Sequence, residues 1–465
     1  MNSLSGNYEE NISSLRQLLG TDRNFDILEK DLVIAGKNAA LFLIDGLVKD
    51  DILEKLLEYL YSLKPENIPD SLEQFQVQNI PYIETEVLST IDDVLKNLLS
   101  GVPCLFLSGH AGCLAIDCRT YPARSVEEPF KDRTLRGSRD GFVETVVFNT
   151  ALIRRRIRSP KLCMEMQCLG ESSRTDIVLC YMEDRANQTC LQKLKKRLQS
   201  VTIDALTMNQ ESLAELLLPG RWFNPFPRFH LTERPDTAAA SILEGNIVLL
   251  VDNSPSAIIL PTSLFAITEE ANDYYFPPIT GTYLRLSRFL IMALSLFLTP
   301  LFLLLMQHPD WIPAGFTFIQ IKDTVNIPLT LQFLLLELSI DGLRLAAIHT
   351  PDMLSTPLSV IAGLVIGEFA VNSGWFNEEV MLYMAFVTIA NYSQSNAELN
   401  YAVKFMRILL LILTGCFSLY GFIAGLIIVA VSLLTCQTFT ERSYLYPLIP
   451  FHWSALKHQL FRLKL

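Results

Sequence analysis

Residues 289–306 are 18 consecutive positions without a charge, near the shortest helix that crosses a bilayer. Pro300 lies inside this run, and a membrane helix tolerates it where neighbours satisfy the freed carbonyl. Further apolar stretches follow at 328–347, 358–371, 380–392, 405–420 and 421–436. The stretch 328–347 is long enough to span but carries Glu337, Asp341 and Arg344. The shorter ones are expected to cross tilted, to thin the bilayer locally, or to include one re-entrant segment.

Charge divides the chain at the same place. From Gly281 on there are 10 basic and 10 acidic residues, which leaves 28 basic and 39 acidic residues in 1–280 and the whole net charge of −11 there. The reading is a soluble mixed α/β N-terminal domain followed by an all-α polytopic membrane domain. Half the residues are hydrophobic and 19% charged, which excludes disorder. The net negative charge argues against a nucleic-acid partner. The opening MNSLSGNYEENISSLRQLLG lacks the basic and apolar regions of a signal peptide, so the first half is expected in the cytosol. Seven of the nine cysteines lie there and are expected to stay thiols. The pairs Cys113/Cys118 and Cys163/Cys168 lack zinc-site spacing, with His110 the only histidine nearby, and buried small hydrophobes are the better reading.

Within the soluble part, 10–19 and 52–63 read as amphipathic helices and NAALFLIDGL as a buried strand. Residues 105–107 and 114–117 read as a hairpin. The polar, Pro-bearing RTYPARSVEEPFKDR separates two subdomains near residue 130. A helix then runs toward Pro160, with Asp140 as its cap, Glu144 in its first turns and Arg154, Arg155, Arg156 and Arg158 in its last. Strands are expected at 163–170, 176–184 and either side of the turn in NIVLLVDNSPSAIIL, and helices at 189–199, 213–218 and 238–243. The expected domains are 1–130, 131–280, 281–440 with four to six membrane segments, and an amphipathic, interfacial tail at 441–465. Arg285 and Arg288, Lys404 and Arg407, and the basic residues Arg442, Lys457, Arg462 and Lys464 read as cytosolic flanks, with Glu378 and Glu379 outside. Six crossings, or four with a re-entrant hairpin, keep both termini inside.

Glu337, Asp341 and Arg344 share one helical face by spacing. Charges at membrane depth face a bundle interior, a subunit contact or water. Two readings stand: a polar seam lining an ion path or gate, and a structural ion pair between helices. Glu368 is a second isolated acid, facing water or pairing with Arg344. Gly363, Gly367 and Ala370 permit close helix packing, or simply loosen the helix. The Arg154–Arg158 run reads as a solvated face or domain contact rather than an anion site. No GxSxG, Walker A, HExxH or GxGxxG motif occurs, so neither an enzyme nor a cofactor is expected.

RGSRDGF, NTALIRRRI, GESSRTDI, TERPD at 232–236, LEGNIVLLVDNSP at 243–255, NDYY at 272–275 and GLVIGEFAV at 363–371 occur in this order. Together they resemble the A subunits of the GerA family of spore germination proteins over residues 30 to 440. CRTYPARSVEEP and YLYPLIPFHW are most similar to that family's stage V sporulation AF branch. The resemblance implies a multi-pass protein of the spore inner membrane with a cytosolic two-part N-terminal domain. It implies an oligomer, a pentamer by analogy, forming a ligand-responsive ion channel that works with other germination membrane proteins. It makes Arg136, Arg139, Glu144, Asn149, Arg154, Arg155 and Arg156 family-motif domain contacts. The alternative is a non-conducting scaffold or signal-relay subunit. A secondary transporter is disfavoured because no internal repeat is visible.

Overall fold

A computed structural model describes all residues except 1–3, 22–23, 25–26, 46, 121–124, 130–131, 219–222, 351–359, 395, 437, 440–442 and 463–465. The chain forms two compact units, Met1–Arg124 and Ser125–Leu465. Their division falls in the Pro-bearing loop; Phe130 and Lys131, at the expected boundary, lie outside the described residues.

The first unit is built on strands β1 (Ile27–Ile34), β2 (Lys37–Ile44), β3 (Thr85–Leu88), β4 (Cys104–Leu107) and β5 (Cys113–Ile116). They pair antiparallel in the order β1-β2-β4-β5-β3. The strand and hairpin read from the sequence are β2 and β4–β5. Alternation along β2 feeds two cores: Ala40 and Phe42 pack with Ile12, Leu15 and Val94, and Leu41 with Leu56, Leu60 and Phe75. Helices therefore cover both faces, which is why β4 and β5 are continuously apolar rather than alternating.

The second unit opens with an analogous layer. Strands β6 (Leu162–Leu169), β7 (Thr175–Met182), β8 (His230–Thr232), β9 (Ile247–Val251) and β10 (Ala257–Leu260) pair antiparallel in the order β6-β7-β9-β10-β8. On β7, Ile177, Leu179 and Tyr181 meet the helices Gln188–Gln199 and Gln210–Leu217, while Val178, Cys180 and Met182 meet Val146–Arg156 and Pro235–Leu243. The Val146–Arg156 helix begins later than Asp140. Asp140 does not cap it; the first helical N–H, on Val146, donates to Asp252 Oδ1 at 3.0 Å.

The same unit continues into a helical region: Pro278–Gln307, Leu329–His349, Val360–Asn372, Glu378–Tyr392 and Ala397–Leu434. By length and composition, Pro278–Gln307 and Ala397–Leu434 are apolar enough to cross a membrane. Ala397–Leu434 is not one rod. Ser418 has φ 51° and ψ −130°, and beyond it the chain doubles back. A Cβ on Gly421 would collide with the Leu413 carbonyl, and Gly425 sits against Leu410. Contacts between residues 8 and 15 apart in sequence need a reversal, so residues 397–417 and 419–434 are two antiparallel arms. Residues 363–369 form a π-helical turn.

The tail returns to the sheet. Phe439 enters the core beside β7 and β9, with Lys193 Nζ 5.5 Å from its ring centroid. Leu264 N donates to the Tyr444 carbonyl at 2.9 Å. Trp453–Leu460 is a short helix with Leu456 buried and Trp453 exposed.

Candidate functional site

Helical spacing places Glu337 and Asp341 toward the first arm of the Ala397 hairpin. Glu337 is 3% exposed and Arg407 is fully buried. Arg407 donates from Nε to Glu337 Oε1 at 2.7 Å, and its NH2 lies 2.7 Å from the same oxygen. Its NH1 donates to the Ser295 carbonyl at 3.0 Å and to Ser295 Oγ at 2.9 Å. Lys404 Nζ lies 3.3 Å from Glu337 Oε2 and also pairs with Asp341. Two acids and two cations thus neutralise one another among three helices, in surroundings where a lone charge would be costly. Arg344 stands apart from this set, with its guanidinium 4.9 Å from the Tyr401 ring centroid and 5.8 Å from that of Tyr392.

Lys404 and Arg407 therefore do not precede their helix. The helix starts at Ala397, capped by Asn396 Oδ1 on Leu399 N, and carries both cations into the bundle. Arg285 and Arg288 are not free flanks either, since their helix starts at Pro278 and both are buried. Arg442 and Lys464 lie outside the described residues.

Glu368 is exposed on the π-helical turn, and no ion pair joins it to Arg344 among the described residues. Gly363 and Gly367 have nothing within 4 Å of where a Cβ would stand, so neither supports packing within the chain. Ala370 follows on the next helical turn, half-buried.

A second cluster joins the sheet layer to the first long helix. Asp273 is fully buried and pairs with Arg285 Nε at 3.0 Å and with Arg288. Arg285 also reaches Glu269 at 3.0 Å, and Arg288 reaches Glu270 at 3.1 Å. Arg285 NH1 donates to the carbonyls of His458 and Gln459, and Arg462 donates to those of Tyr274 and Phe276, so the tail closes the cluster. Desolvation pushes the Glu269 carboxyl up to about 7 despite the Arg285 charge, with Glu244 adding to the rise. Burial likewise raises Glu244 and Glu270.

Arg234 is the hub of a third set, which the sequence reading missed. It is 2% exposed, donates to the carbonyls of Asp132 at 3.1 Å and Ser138 at 2.8 Å, and pairs with Asp236 at 2.6 Å. Tyr275 OH donates to Asp236 Oδ2 at 2.6 Å. The Tyr275 ring lies against Gly137, where a side chain would collide with it and φ is +108°.

Of the family-motif residues, Arg156 holds the same loop. Arg156 pairs with Asp140 at 2.5 Å; burial alone would raise that carboxyl, but hydrogen bonds from Arg156 and Ser138 hold it below its usual value. Asn149, 1% exposed, clamps Val143 by accepting from its N–H at 2.9 Å and donating to its carbonyl at 2.6 Å. Arg154 donates to the carbonyls of Ser159 and Leu162. Arg136 lies over the Phe276 ring at 5.7 Å, and Glu144 O accepts from Asn253 N at 2.8 Å. Arg139 and Arg155 are exposed. His110 is buried, with Nε2 2.7 Å from the Pro69 carbonyl oxygen. No group of three metal-ligating side chains occurs among the described residues.

Comparison with known proteins gives the family of the chain. Residues 13–465 match the family model for the Bacillus/Clostridium GerA spore germination protein. Stage V sporulation protein AF of Bacillus subtilis (strain 168) is 36% identical over 98% of this chain and 92% of its own length. Spore germination protein GerLA of Bacillus cereus is 28% identical over 99% of this chain and 94% of its own length. The crystal structure of the N-terminal domain of the A subunit of the Bacillus megaterium spore germinant receptor GerK3 aligns with 56% of this chain and 96% of its own, at 26% identity and a TM-score of 0.21.

Proposed function

The chain belongs to the GerA family of spore germination proteins, and from that premise we propose that it is a subunit of an oligomeric channel releasing monovalent cations during germination. One observation carries the reading. The acids inside the bundle, Glu337 and Asp341, are already neutralised by Lys404 and Arg407, whereas Glu368 projects from an exposed segment that is otherwise apolar. A carboxylate facing lipid is costly. A ring of copies with Glu368 around a shared aqueous axis removes that cost and attracts cations. Exposed Gly363, half-buried Gly367 and Ala370 then let neighbouring segments approach. Gating requires a ligand or partner that binds the open arrangement better than the closed one.

In this reading Glu337, Asp341 and Arg344 hold the bundle together and do not contact the ion. The protein resides in the spore inner membrane with its sheet layers in the cytosol, forms a homo-oligomer, and works with other germination membrane proteins. Both ends of the helical region fit six crossings. Gln307 and His308 meet the Thr414 carbonyl and Ser418 at one end, and Arg285 meets the tail at the other.

The test is potassium flux from liposomes holding the purified protein, with particle mass measured on the same sample. Glu368→Gln is expected to reduce flux about tenfold with the oligomer intact, the loss of one ring of charge. Absence of flux from a well-formed wild-type oligomer, alone and with candidate membrane partners, overturns the channel in favour of a scaffold.

A further inference from the structure

Arg344 carries a charge that the chain leaves open. Beside it, Glu337 and Asp341 are matched by Lys404 and Arg407, so the guanidinium one turn beyond Asp341 gives this part of the bundle a net positive charge. Arg344 is half-buried, and among the described residues no carboxylate or carbonyl accepts from it. The rings of Tyr401 and Tyr392 hold it instead, at 4.9 and 5.8 Å. Aromatic faces take a guanidinium by its plane and leave the N–H groups at its edge free to donate. Such a fork, positioned and unused, matches a carboxylate or a phosphate.

Its level in the bundle narrows the choice. Tyr392 is the last residue of its helix, and Tyr401 lies four residues, about 6 Å, past the start of the next. Gln394, between them, donates to the Arg288 carbonyl at 3.4 Å, and Arg288 pairs with Asp273 and Glu270 at the junction with the sheet layer. The guanidinium thus stands about one turn inside the sheet end of the helices, where a bilayer carries its headgroups. Leu345, Ile348 and Ile389, on the turns next to Arg344 and Tyr392, are exposed and apolar. An apolar groove of about 360 Å³ begins at Ser393 and runs between Leu294, Leu298 and Phe386, a bed for a hydrocarbon chain. A soluble anion would use neither feature.

We propose that Arg344 binds the phosphate of an anionic lipid in the leaflet facing the sheet layers. The guanidinium donates to the phosphate oxygens, the tyrosine rings hold it in place, and the lipid chains lie along the apolar face at Ile389. Bound there, the lipid ties together the ends of three helices, Leu329–His349, Glu378–Tyr392 and Ala397–Leu434. The site rests on the membrane placement proposed above and not on conduction. Its test needs no ion flux, and its failure leaves the channel reading untouched.

Native mass spectrometry of the full-length protein in uncharged detergent micelles counts the lipids retained, with dioleoyl phosphatidylglycerol or dioleoyl phosphatidylcholine added. Saturable retention of about one phosphatidylglycerol per chain is expected, at least about tenfold tighter than phosphatidylcholine, whose phosphate is paired with its own cation. Arg344→Gln is expected to lower the phosphatidylglycerol affinity about tenfold, the loss of one charge-assisted pair, and to leave phosphatidylcholine unchanged. Arg344→Lys keeps the charge without the fork and is expected to fall between the two. Equal phosphatidylglycerol affinity in wild type and Arg344→Gln overturns the proposal, as does the absence of any preference over phosphatidylcholine. Displacement of the lipid by about 10 mM inorganic phosphate overturns it in favour of a soluble anion. An oligomer that falls apart in Arg344→Gln with lipid retention unchanged overturns it in favour of a carboxylate on a second copy.

Discussion

Replacing Glu337 by glutamine keeps its shape and removes its charge. The structure assigns that carboxylate two close approaches from Arg407, each at 2.7 Å, and one from Lys404 at 3.3 Å. After the change, Lys404 keeps Asp341, while the buried Arg407 keeps only the neutral oxygens of Ser295 and Asn391. Removing one partner of a buried pair costs about 3–5 kcal/mol, because the remaining charge stays desolvated. Asp341 is a graded control on the same helix face. Its side chain is 36% exposed, so water replaces much of what Lys404 gives it, and Asp341→Asn should cost about 1 kcal/mol or less. The assay is equilibrium unfolding in mixed micelles by a denaturing detergent, followed by tryptophan fluorescence. Glu337→Gln, Arg407→Gln and the double variant complete a cycle, with an expected coupling above about 1.5 kcal/mol. If Glu337→Gln lies within about 1 kcal/mol of Asp341→Asn, the buried network is not the fastening described. Potassium flux supplies an independent check: Glu337→Gln should lower it only in proportion to the folded protein recovered.

Asn149→Ala leaves the Val143 N–H and carbonyl buried and unpaired, a loss of about 2–4 kcal/mol readable as a lowered unfolding midpoint. Glu269 is expected to take up a proton as pH falls from 8 to 6. Its pKa is raised from 4.5 to about 7 in the fold, so its stability contribution is present at low pH and lost as pH rises through that window. Arg285, Tyr274, Glu244 and Asp273 surround it, and Glu269→Gln should abolish both the carboxyl infrared band that appears in this range and that part of the pH dependence.

The sheet layers were legible where a short apolar run is continuous. Residues 176–182 and 247–251 alternate between two apolar cores, and the reading placed both strands. It did not place β1, which Glu29, Lys30 and Asp31 interrupt, or β3 and the Leu72–Asn79 helix, whose apolar positions are few. The charge network was half legible. Spacing put Glu337, Asp341 and Arg344 on one face, but partners on another helix leave no periodic trace. Taking the run to begin at 405 turned Lys404 and Arg407 into flanks; the Asn396 cap eight positions before Lys404 was the available signal. Asp140 was taken as a cap because that is the commonest use of an aspartate before a helix. Its actual partner, Arg156, lies sixteen residues on. Arg234 stands inside the TERPD motif, two positions before its partner Asp236, but its role as a hub was hidden because its other partners lie about a hundred positions earlier.

The tail contacts also set an order in time. Arg285 donates to carbonyls 173 and 174 positions further along, and Arg462 closes onto residues 186 and 188 positions back. At a synthesis rate of about 5–20 residues per second, those partners emerge roughly 10–35 s after the first long helix. During that interval Arg285 has its acids but not its last acceptors. The junction is therefore completed only after the intervening helices have been made, and its closure marks the arrival of the whole membrane region rather than of any single helix.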